Sequence, residues 1–66
     1  MTIGTVIFFD KNNGFGNIKA QNEARNLFFH ESQSSGKLNP NDLVKYETSI
    51  TKAGLIAINV KKLNED

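Results

Sequence analysis

Phe15, Phe28 and His30, with Phe8 upstream, are the residues of this chain whose types and spacing suit chemistry. Rings that face water can stack on unpaired nucleic-acid bases, each stack contributing roughly 1–3 kcal/mol and demanding no particular sequence. Other chemistries lack their parts. There is no cysteine and only one histidine, which excludes disulfides and Cys/His metal clusters. Neither a paired-carboxylate motif nor a glycine-rich phosphate loop leading into a helix is present, so no enzyme, no bound metal and no small-molecule cofactor is expected.

For these rings to act together, neighbouring strands must hold them on one outer face. Short apolar stretches punctuated by Gly, Asn and Pro, with no sustained helical periodicity, predict an all-β chain. Thr5-Val6-Ile7-Phe8-Phe9 is a β-branched and aromatic run ending at Asp10-Lys11-Asn12-Asn13-Gly14, where Asn-Gly signals a hairpin. A second strand spans about Phe15 to Ala20, the polar stretch Gln21-Asn22-Glu23-Ala24 turns the chain, and Asn26-Leu27-Phe28-Phe29-His30 is the third. The stretch from Glu31 to Asn41 lacks apolar periodicity and reads as a surface loop. Leu43 to Thr48 and Leu55 to Val60 are the fourth and fifth strands, joined by a turn at Thr51-Lys52-Ala53-Gly54. Five strands in 66 residues favour a closed barrel in a single domain, because closure removes exposed edges.

Side chains alternate between faces along a strand. Burying Leu27 with Phe29 leaves Phe28 and His30 outside, and burying Ile18 leaves Phe15 and Asn17 outside, with Gly16 small enough for close packing. A single phenylalanine is more often core than ligand site, and Phe9 and Phe29 are expected inside. For Phe8, Phe15 and Phe28 the balance shifts, since so small a barrel has one small interior to fill.

Hydrophobic residues make up 38% of the chain and charged residues 23%, a globular balance with no apolar run long enough for a membrane span. The segment Met1-Thr2-Ile3-Gly4 lacks the basic head and apolar stretch of an export signal, which makes a cytoplasmic location the default. Net charge is +1. Without Glu65 and Asp66, expected on a frayed tail, eight basic residues face five acidic ones, still a modest bias that would not by itself suggest a polyanion partner.

Taken together, Gly4-Thr5-Val6, Phe8-Phe9, Gly14-Phe15-Gly16 with Ile18, and Phe28, His30 and Ser32 resemble the cold-shock domain in order and spacing. Leu38, Val44-Lys45-Tyr46-Glu47, Gly54, Ala57 and Asn59-Val60 continue the likeness over nearly the whole chain. The resemblance implies a five-stranded antiparallel Greek-key β-barrel of the OB-fold type that binds single-stranded RNA or DNA through two ribonucleoprotein motifs on adjacent strands. It implies stacking roles for Phe8, where the family usually has tryptophan, and for Phe15, Phe28 and His30. Lys11, in the first hairpin, is the candidate phosphate contact.

The chain also departs from that pattern. Asn17 and Glu31 stand where the family has aromatic residues, and the loop around Gly36-Lys37 is shorter and lacks its usual ring. Ile7 and Asn13 replace residues that are often basic, and Asp10 replaces asparagine. Losing two or three stacks costs several kcal/mol, so binding weaker than is usual for the family, or of different specificity, is expected. Asn17 and Glu31 have two open readings: they contact base edges, or they are ordinary solvated residues. The alternative function is a protein-interaction or dimerisation module using the same rings, with Asp10 and Glu31 setting the partner's charge; a monomer is the first expectation, a homodimer the second.

Overall fold

The computed structural model describes residues 2–21, 24–35 and 38–63. Asn22-Glu23 of the anticipated second turn, Gly36-Lys37 of the shortened loop and the Glu65-Asp66 tail lie outside the described residues. The strands are β1 (Thr2–Asp10), β2 (Phe15–Ala20), β3 (Asn26–His30), a two-residue β4 (Ser34–Ser35), β5 (Leu43–Thr51) and β6 (Gly54–Lys62). Their order in the sheet is β3-β2-β1-β5-β6-β4, and a β3–β6 pairing closes the five longer strands into a barrel. Ladders between β1, β2, β3, β5 and β6 along this order are antiparallel, whereas the closing β3–β6 pair and the β4–β6 pair run parallel.

Alternation fills the interior. Val6, Ile18, Leu27, Phe29, Leu38, Val44, Tyr46, Ala57 and Val60 form the buried cluster, with Phe9 and Leu55 packed against it. Phe9 lies over Phe29 with ring centroids 5.9 Å apart and planes only 11° from parallel, which places both on the core side, as expected. Gly16 makes this layer possible: a Cβ there would sit 2.5 Å from the Phe8 carbonyl oxygen and 2.8 Å from the Phe29 ring.

The first hairpin forms at the Asn-Gly signal, with Asp10 paired to Phe15 across a four-residue connection. The Gly14 N–H donates to the Asp10 carbonyl at 2.8 Å, and Gly14 adopts φ +73°, the left-handed conformation that its missing side chain permits. The stretch from Glu31 to Asn41 is more structured than its composition predicts. Glu31–Gln33 forms a 3-10 turn, Ser34–Ser35 pairs with β6, and Leu38 is buried in the core. Single apolar plugs in polar segments leave no periodic trace, which is why the loop reading misses Leu38.

Candidate functional site

Barrel geometry sorts the outer residues of β1, β2 and β3 into rows. Asn17 is paired on one side with Phe8 and on the other with Phe28. One step along, Phe15 is paired with Asp10 and His30. Cross-strand partners share a face, so Phe8, Phe15, Asn17, Phe28 and His30 come together on the outside of the sheet.

Strict alternation would have placed Phe8 inside with Val6. A bulge between Val6 and Phe8 shifts the register by one residue, so that Val6 points into the core opposite Ile18 while Phe8 emerges opposite Asn17. The bulged Ile7 is itself 43% exposed. Sequence periodicity gives no sign of this bulge, because Val6-Ile7-Phe8-Phe9 is apolar throughout.

The rings touch one another. Phe15 stacks on Phe28 with centroids 5.6 Å apart and planes 29° apart, and meets Phe8 edge-on at 5.8 Å and 84°. Phe15 is half-buried between its neighbours, while Phe8 and Phe28 keep 38% and 44% of their surface in water. Rings that are fixed by mutual contact yet open on one face lose little side-chain entropy when a further flat group stacks on them.

His30 caps the 3-10 turn. Its Nδ1 accepts the Ser32 backbone N–H at 3.1 Å and lies 2.9 Å from Ser32 Oγ. Accepting at Nδ1 leaves the neutral imidazole proton on Nε2, a donor on an exposed side chain. Ser32 is therefore a positioning residue for His30, a role that spacing alone does not reveal.

Charge around the rings is mixed. The Asp10 carboxylate is occupied: Oδ2 accepts the Asn13 side-chain amide at 2.8 Å, and Oδ1 accepts the backbone N–H groups of Asn12 and Asn13 at 3.0 and 3.2 Å. The Asn13 side-chain bond, followed by its backbone bond, holds the Asp10 carboxyl below its usual range. Glu31 donates its backbone N–H to the Gly14 carbonyl at 2.8 Å, and its carboxylate lies against Gly14, 2.6 Å from where a Cβ would stand. Lys11 projects from the exposed turn that Asp10 caps. Lys19, an exposed member of the same outer row set as Phe15 and Asn17, is a cation that the sequence reading passes over; alternation along β2 was the signal that would have found it.

These features suit a flat, weakly charged ligand surface with hydrogen-bonding groups in its plane. Asn17 stands between two rings with an amide that both donates and accepts. Among the described residues, no group of three or more His, Cys, Asp or Glu side chains is placed to hold a metal. No helix among them is long and apolar enough to cross a membrane.

Comparison with known proteins points the same way. Residues 2–63 match the "Cold-shock" DNA-binding domain family. The chain is 37% identical over 67 residues to the major cold shock protein of Micrococcus luteus, an alignment covering 96% of this chain and all of that one. The solved structure of drosophila Unr CSD456 superposes with a TM-score of 0.79 at 28% identity, over 98% of this chain. This chain spans only 27% of the length of that longer one.

Proposed function

The chain belongs to the cold-shock DNA-binding domain family, and from that premise we propose that it binds single-stranded RNA or DNA on the outer face of β1, β2 and β3. The observation that carries this reading is the contact chain Phe8–Phe15–Phe28, held on one face with two of its rings open to water. Each open ring offers a base a stacking surface, and His30 adds an imidazole with an Nε2 donor. Lys11 and Lys19 flank the rings and meet the backbone phosphates.

The role is binding as a single-domain monomer in the cytoplasm, that of an RNA chaperone or a regulator of transcription or translation, without catalysis or a cofactor. Affinity is lower than in family members with a full set of rings, because Asn17 and Glu31 supply no stack and Glu31 and Asp10 place negative charge beside the phosphates.

Anisotropy titration of a labelled oligo-dT or an unstructured RNA tests the proposal. Affinity that tightens at low salt and collapses in Phe15→Ala and Phe28→Ala supports it. No binding at low salt, together with a mass that rises with protein concentration, would instead make these rings a protein interface.

A further inference from the structure

Away from the rings, the outer surface of β5 and β6 holds a second feature. Lys45 and Lys61 are direct cross-strand partners, an opposition of like charges that weakens a strand pair. Among the described residues neither amine has an anionic partner, although Lys62 beside them reaches Asp42 at 3.6 Å. The two lysines flank a cleft of about 240 Å³ whose remaining walls are Tyr46, Glu47 and Asn59.

A backbone irregularity shapes this cleft. Between the Lys45–Lys61 and Glu47–Ile58 pairs, β6 has one residue more than β5, and Asn59 there adopts φ +52°. A left-handed residue in a bulge re-aims its neighbours. Asn59 Nδ2 donates to Glu47 Oε1 at 2.8 Å, which engages the carboxylate that lines the cleft with the two lysines.

The cleft is continuous with the ring face. A shallower cleft of about 180 Å³, lined by Ser32, Gln33, Ser34, Val60 and the shared Asn59 and Lys61, adjoins it. Ser32 is the residue that positions His30 at the end of the rings. On the other flank, Phe28 pairs across the barrel closure with Ile56 of β6, the strand that leads on to Lys61.

We propose that the Lys45–Lys61 cleft is an extension site for the sugar-phosphate backbone of a strand leaving the rings past His30 and Ser32. The proposal rests on the ring face binding single strands, and adds a second contact that only a longer ligand reaches. Two opposed cations with no anionic partner among the described residues make a phosphate their natural counterion, and the contact offsets a repulsion already built into the sheet.

The test compares an oligo-dT of about four nucleotides with one of about ten, within the range of site sizes for such barrels. In Lys45→Gln/Lys61→Gln, affinity for the longer oligomer is expected to fall about five- to tenfold, with the salt slope reduced by about 1.4, while the shorter one binds as before. The double Lys→Arg variant restores the longer oligomer, and the melting temperature of the Gln variant is unchanged or raised because the like-charge pair is gone. Equal affinity of native protein and Gln variant for the longer oligomer overturns the extension site alone. An equal loss for both lengths also overturns it, since the lysines would then act through the general field. A native protein that binds neither length overturns the ring face and the extension together.

Discussion

The two halves of the barrel share an interior but present opposite exteriors. On β1, β2 and β3 the outer face bears Phe8, Phe15 and Phe28, and on β5 and β6 it bears Lys45, Glu47, Ser49 and Lys61. The β5–β6 hairpin shows a plainer outer face, in which polar residues alternate on β5 beside the half-buried Ile56 and Ile58 of β6, over an apolar inner row. The β1–β3 meander departs from that economy and exposes rings that a stable barrel does not need. Stability is therefore located in the inner rows of both halves, and the proposed stacking face in the outer row of one.

The largest effect that separates these roles is expected at adjacent residues of β3. Phe29→Ala removes a fully buried ring and should cost about 3–5 kcal/mol, a large share of what a domain this small possesses. Chemical denaturation should find it unfolded or nearly so. Phe28→Ala, one residue away and 44% exposed, should instead remove about 1–3 kcal/mol of oligonucleotide affinity, with a melting temperature close to native. If Phe28→Ala unfolded the protein, or left oligonucleotide affinity unchanged, the division between inner and outer rows would be wrong.

Restoring rings sharpens the same contrast. Asn17→Phe extends the Phe8–Phe28 row, and Glu31→Phe both adds a ring and removes a charge beside Gly14. Each should tighten oligonucleotide binding about tenfold in a titration. A loss of affinity in Asn17→Phe would show that the amide itself contacts a base.

Smaller effects are expected at the first turn. Asp10→Asn keeps an oxygen to accept the Asn12 and Asn13 N–H groups while removing a charge, so affinity should rise a few-fold at low salt and not at high salt. Because the folded Asp10 carboxyl lies below its usual range, its contribution to the turn is fully present above the unfolded value near 4 and is lost as pH falls through the folded one. An NMR titration should show the Asn12 and Asn13 amides moving together in that acid window, and shifts only above it would contradict the capping role.

Much of this was legible in the residues. Leu27 and Phe29 against Phe28 and His30 is a two-residue period with one apolar member, and such a pattern has a single sensible orientation. Asn13-Gly14 announced the hairpin because a left-handed residue is required there. Long-range and irregular features were not legible. The bulge at Ile7 lies inside a uniformly apolar run, and Leu38 enters the core from a segment without periodicity. The parallel Phe28–Ile56 closure and the Lys45–Lys61 opposition depend on register between segments distant in the chain, which Asn59 alone does not declare.

The most direct test of the ring face is the amide NMR spectrum on adding a short pyrimidine oligomer at low salt. Shifts are expected at Phe8, Phe15, Asn17, Phe28 and His30, with the exposed hairpin tip around Ile50 and Lys52 unmoved. Shifts confined to that tip, or none at all, would contradict the account.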